Sequence, residues 1–100
     1  MRAPWRTALP DILFIQGGGA GTHDQWDNRL VDSLRDALGE GFTVRYPRIA
    51  AEADPDYATW KPQLLQELAD IGDGAVSVAH SVGATLLLLT LTEAPPEIRP

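Results

Sequence analysis

Ser81 stands between His80 and Val82 in AVSVAHSVGATLLLL, Ala75 to Leu89, where strand-forming apolar residues give way to a run of leucines. A serine at a strand-to-helix turn has two uses. It caps the helix, since serine is a leading N-cap residue, or it stands proud of a cramped bend as a nucleophile, as in G-x-S-x-G. Here the pattern is Ala79, His80, Ser81, Val82, Gly83, so one methyl must fit where the motif has a glycine. Acyl transfer through such a serine needs two N–H donors aimed at the developing oxyanion. One is the amide after the nucleophile, here Val82; the other comes from a loop after a neighbouring strand. GGGAG, Gly17 to Gly21, offers that loop, with Gly17, Gly18 and Gly19 as the expected oxyanion segment and the Gly18 amide as partner to that of Val82. Its simpler use is an ordinary flexible turn.

Only His23 and His80 are available as bases within these 100 residues. His80 adjoins Ser81, but successive residues leave the chain in different directions. His23 follows the glycine loop with Asp24 and Asp27 nearby, so an improvised Ser81, His23, Asp triad is conceivable, although a loop or capping histidine is the favoured reading. Without a base a serine hydroxyl is a poor nucleophile. Two histidines lacking suitably spaced carboxylates do not suggest a metal site. A glycine loop between strand and helix also holds dinucleotide phosphates. Against that use, Thr22 stands at the third glycine position of G-x-G-x-x-G and no acid closes the second strand. No lysine follows Gly21, which argues against a P-loop, and no cofactor is expected.

The elements that must position these residues follow from periodicity. DILFIQ, Asp11 to Gln16, is a short apolar strand ended by glycines. Trp26, Leu30, Leu34 and Leu38 recur at helical spacing, with Asp24 or Asp27 to cap the start and Gly39 to stop the end. On this spacing Trp26 and Tyr57 are core residues before they are cleft residues. FTVRYP, Phe42 to Pro47, predicts a second strand. Tyr57, Trp60, Leu64, Leu68 and Ile71 predict a second helix; a cap at Thr59 would put Pro62 in the first turn, where its missing N–H has no partner to lose. Ala75 to Ala79 predicts a third strand, and Val82 to Glu93 a helix apolar nearly all round. The terminal prolines of EAPPEIRP start nothing new. Strand and helix alternate throughout, which predicts an α/β fold with a parallel sheet and right-handed crossovers. Spatial order 2-1-3 would set GGGAG beside HSVG at the point where the crossover direction reverses.

ILFIQGGGAGTHDQWD, VRYP, DYATWK and AVSVAHSVGATLLL, in that order and spacing, resemble the N-terminal half of a small, lid-less α/β-hydrolase of the serine hydrolase type. The resemblance runs from about Ile12 to Leu91. It implies a three-layer α/β/α sandwich, residues 1–100 forming a single partial domain, Ser81 as nucleophile, and Gly17 through Gly19 as the oxyanion loop. Gln16 takes the place where many members carry the histidine of an HG motif. The triad acid and histidine of that family belong to later segments with no counterpart here, so this chain is expected to be nearly inactive. The implied substrate is a small ester or similar acyl compound.

Composition narrows the remaining choices. Eight basic against 14 acidic residues give a net charge of −6, the wrong sign for nucleic acid or an anionic membrane surface. Ala75 to Leu91 is too short and too interrupted for the ~20 apolar residues of a membrane span. No cysteine is present, which fits a reducing, cytoplasmic setting. A non-enzymatic reading rests on Leu86 to Leu89 and Leu91: left uncovered, they would favour self-association of a non-catalytic remnant or interaction protein.

Overall fold

The computed structural model describes residues 11–72 and 74–93. The expectations for the first ten residues and for the terminal prolines lie outside them. Three parallel strands, β1 (Ile12–Ile15), β2 (Val44–Arg45) and β3 (Val76–Ala79), form a sheet in the order β2-β1-β3. Ile12 pairs with Val44 on one side and Val76 on the other, and the β3 register runs on to Ile15 opposite Ala79. β1 is therefore the middle strand, and all four of its residues are buried. Such a strand reads as a continuous apolar run, as ILFI does.

Alternation along β1 sends its side chains to two separate clusters. Leu13 and Ile15 pack with Ile49, with Trp60, Leu64 and Leu68 of α2 (Tyr57–Ile71), and with Leu86 and Leu87 of α3 (Val82–Glu93). Ile12 and Phe14 pack with Val44 and with Val31 of α1 (Asn28–Leu38). Burying a side chain the size of Leu13 or Ile15 is worth about 1.5–3 kcal/mol, so β1 anchors both clusters.

Four local expectations need correction. The expected strand over Phe42 to Pro47 shrinks to Val44–Arg45, and Phe42 is exposed. α1 turns Val31, Leu34 and Leu38 inward, leaving Trp26 61% and Leu30 46% exposed; Trp26 is not a core residue. The cause is a π-helical stretch, Thr22–Asp27, whose different residue angle shifts the phase of the stripe before α1 begins. α2 starts at Tyr57, capped by Asp56 and not by Thr59: the Asp56 carboxylate accepts from the Thr59 N–H at 3.3 Å and from its hydroxyl at 3.0 Å. Pro62 accordingly lies inside the helix. Finally, neither Asp24 nor Asp27 caps α1, for both carboxylates are engaged elsewhere. Gly39 does end α1, at φ +71°. Tyr57 packs beside the first cluster as its spacing predicts. Among the described residues no helix is long and apolar enough to cross a membrane.

Candidate active site

Ser81 occupies the second position of the two-residue bend, His80 and Ser81, between β3 and α3. Its φ is +58°, in the left-handed region that costs a residue with a Cβ roughly 1–2 kcal/mol. The bend is closed by tight bonds, Gly83 N–H to the His80 carbonyl at 3.1 Å and Ala84 N–H to the Ser81 carbonyl at 3.0 Å. His80 N–H donates back to the Ile15 carbonyl at 3.2 Å, which ties the bend to the end of β1. Ser81 itself is exposed and its hydroxyl has no partner among the described residues. Small neighbours are a geometric demand. A Cβ on Gly83 would collide with the Gln16 carbonyl and lie 3.3 Å from the Ile15 side chain, so α3 presses directly on the peptide that follows β1. Ala79, at the other flank, fits with its methyl beside the first cluster.

The glycine loop lies against this bend. A Cβ on Gly17 would stand 3.3 Å from Ser81 Cβ, and one on Gly18 would meet Val82 at 2.7 Å and Pro55 at 2.5 Å. The glycine backbone thus packs directly on the side chains of Ser81, Val82 and His80, with Pro55 closing over Gly18. The three glycine amides have different fates. Gly17 N–H donates to the Asp27 carboxylate at 2.7 Å, and Gly19 N–H to the Glu52 carbonyl at 2.6 Å. Gly18 N–H has no partner among the described residues. Val82 N–H is likewise free, since the first amides of a helix find no helical carbonyl. Of the residues expected to bind an oxyanion, Gly18 and Val82 can donate, while Gly17 and Gly19 contribute shape and support.

Four polar residues hold the loop, the first being Thr22, whose hydroxyl donates to the Gly18 and Gly19 carbonyls at 2.9 and 2.7 Å. Gln16 is wholly buried: its amide donates to the Gly17 carbonyl at 3.3 Å and to Glu52 at 2.8 Å, and its oxygen accepts from Ile49 N–H at 2.9 Å. Because the Gly17–Gly18 peptide is trans, a carbonyl drawn toward Gln16 turns the Gly18 N–H the opposite way. The Glu52 carboxylate also accepts from Gly21 N–H at 2.8 Å and His23 N–H at 3.2 Å. Burial by itself raises its pKa, but the bonds from Gln16, Gly21 and His23 together outweigh that and hold it below the usual 4.5. Ala51, just before it, has φ +64°; Ala51 and Ser81 are the two non-glycine residues with positive φ among the described residues, and their segments flank one loop. Asp27, 1% exposed, turns its second oxygen to His80 Nδ1 at 2.9 Å.

His23 stacks on Tyr46 with ring centroids 3.9 Å apart. Its ring nitrogens face Asp24 at 2.8 Å and the Tyr46 carbonyl at 3.3 Å, so the geometry engages it away from Ser81. Arg48 grips Asp24 through two bonds; with His23 it keeps that carboxyl well below its usual range. Burial, helped by the Asp27, Asp24 and Glu52 carboxylates, pushes the Tyr46 hydroxyl up, and it donates to the His23 carbonyl at 2.6 Å.

Gln16 and Glu52 have roles in the site that the sequence left unassigned, and Asp27, expected as a helix cap or as an acid beside His23, serves Gly17 and His80 instead. Gln16 had a signal in its position before the glycines. Asp27 resembled a helix cap, and Glu52 sits in the unpatterned IAAEADPD loop. The chain matches no protein-family model, no curated protein and no solved structure.

Proposed function

We propose that this chain carries the nucleophile and oxyanion half of a serine hydrolase site in a partial α/β-hydrolase fold. In this reading α1 on one face of the sheet and α2 with α3 on the other form a three-layer α/β/α sandwich. The observation that carries the proposal is the left-handed Ser81 bend lying against Gly17 and Gly18 with two amides free. The Ser81 hydroxyl attacks an ester or similar acyl carbonyl. The Gly18 and Val82 amides receive the oxyanion, and losing one such donor typically costs about 3 kcal/mol of transition-state stabilisation. The Ser81 proton passes to solvent as its oxygen bonds to the acyl carbon, the alkoxide departs and takes a proton from solvent to leave as the alcohol, and water adds to the acyl-enzyme to release the carboxylic acid and restore the Ser81 hydroxyl; no cofactor takes part. Because no base is hydrogen-bonded to the Ser81 hydroxyl among the described residues, with His23 turned to Asp24 and Tyr46 and His80 Nδ1 to Asp27, deprotonation of Ser81 is slow and the purified chain turns over poorly. The absence of cysteine fits a cytoplasmic setting.

Incubation with an activated acetate ester, followed by peptide mass spectrometry, tests this. Acetyl should accumulate on Ser81 and vanish in Ser81→Ala. No acylation at Ser81 refutes the nucleophile, and rapid turnover abolished by Ser81→Ala refutes the near-inactivity. A second, non-catalytic reading draws on Leu88 and Leu89, 64% and 42% exposed: an interaction protein that self-associates through these two leucines, since the structure buries Leu86 and Leu87, which the sequence left among the uncovered leucines. Dinucleotide binding has less support, because the Gly17 and Gly19 amides that would meet a pyrophosphate are already bonded.

A further inference from the structure

Asp27 ends the π-helical stretch and immediately precedes α1, a place where its carboxylate should accept from the first amides of that helix. It does not cap them. The side chain is instead buried, and an aspartate is almost never fully buried unless paired. Its two oxygens serve two different loops: Oδ2 accepts from Gly17 N–H at 2.7 Å, and Oδ1 lies 2.9 Å from His80 Nδ1. Gly17 begins the segment that presents the Gly18 amide, and His80 is bonded directly to Ser81. Among the described residues no other side chain is hydrogen-bonded or ion-paired to both segments, although Ser81 and Val82 pack on the glycines. Gln16 and Glu52 hold the glycine loop alone, from the side of Ile49 and Ala51.

We propose that Asp27 is a positioning residue for acyl transfer, clamping the glycine loop to the serine bend so that the Ser81 hydroxyl and the Gly18 amide keep one separation. The inference rests on the hydrolase reading above. Asp27 touches neither substrate nor the reacting atoms; it acts through Gly17 and His80. A carboxylate suits the task because charge-assisted bonds are about twice as strong as neutral ones, and its two oxygens lie on one rigid plane. Asp27→Asn keeps the shape and an acceptor for Gly17 N–H, but weakens that bond and presents N–H groups to His80. Asp27→Ala leaves Gly17 N–H buried and unpaired.

The probe is an alkyl fluorophosphonate applied to the full chain at about pH 9, where hydroxide supplies the base that Ser81 lacks. The Ser81 oxygen bonds to phosphorus, the P–F bond breaks, fluoride leaves, and the serine proton goes to hydroxide as water. Intact mass gives the labelling rate at several probe concentrations, and so separates the maximal rate from the probe concentration at half-maximum. Asp27→Asn should lower the maximal rate about tenfold with the half-saturating concentration unchanged, because a loosened clamp misplaces the oxyanion donor. In wild type, phosphonylation should also shift the Gly18 amide resonance downfield, and in Asp27→Asn much less. A residue with only a structural role would lower the unfolding midpoint and leave both readouts of the folded protein unmoved; that result overturns the proposal. If Asp27→Ala fails to fold, Asp27→Asn decides alone. Wild-type Ser81 labelled no faster than Ser33 would instead sink the hydrolase reading, and this inference with it.

Discussion

Gly83→Ala sets two effects of opposite sign against each other at the point where the bend meets the sheet. By helix propensity alone the change is favourable by about 1 kcal/mol, because Gly83 lies in α3 and alanine is the better helix former. Packing opposes it. The added Cβ would collide with the Gln16 carbonyl oxygen and lie 3.0 Å from the Gln16 carbonyl carbon, backbone atoms just past the middle strand that no rotamer change can move aside. Overpacking of this kind costs about 1–3 kcal/mol and more where backbone must shift. The clash should win, for a net loss of about 2 kcal/mol and a fall in the unfolding midpoint of roughly 10 °C for a domain of this size. Thermal unfolding followed by circular dichroism measures it. Relief requires α3 to move off β1, carrying Ser81 away from Gly18, so fluorophosphonate labelling should slow as well. A suitable control is Gly39→Ala, where a Cβ meets nothing within 4 Å but φ is +71°. It should lose about 1 kcal/mol from backbone strain and label normally. A Gly83→Ala protein as stable as wild type would refute the close approach of helix and strand on which the site depends.

Three further outcomes are expected. Gln16→Leu fills the same space but strands the Ile49 N–H and the Gly17 carbonyl, so it should destabilise the fold by about 2–3 kcal/mol in urea titration. Glu52 has its carboxyl pKa held below the usual 4.5 in the folded protein; its contribution is therefore complete above the unfolded value and fades as pH falls through the folded one. Glu52→Gln should accordingly show a shallower loss of stability than wild type between about pH 5 and 3, measured as urea midpoints at each pH. Leu88→Lys should change stability by less than about 0.5 kcal/mol, since Leu88 is 64% exposed, and should reduce any self-association seen by sedimentation velocity.

The alternation of apolar strands with amphipathic helices was enough to point to an α/β chain with parallel strands, because strand and helix periods bury their apolar faces differently; the expected order β2-β1-β3 is the one observed, but alternation alone does not fix which strand lies in the middle. The small residues around Ser81 were equally legible, since a sharp bend tolerates little else. Local pattern failed at two helix starts, where the detailed backbone geometry decides which side chains turn inward and which residue caps. Helical spacing put Trp26 in the core, but the π-helical stretch rotated it to solvent. Asp56 displaced Thr59 as the cap of α2 because its extended backbone let the carboxylate reach two groups of Thr59.

What the residues by themselves determined was therefore which groups have the chemistry: a serine between small neighbours and a loop without side chains. Only the tertiary structure decided which glycine amide is left to donate. That choice depends on Asp27, 10 residues from Gly17, and on Glu52, 31 residues from Gly21, and a hydrogen bond across such separations leaves no periodic trace in the chain.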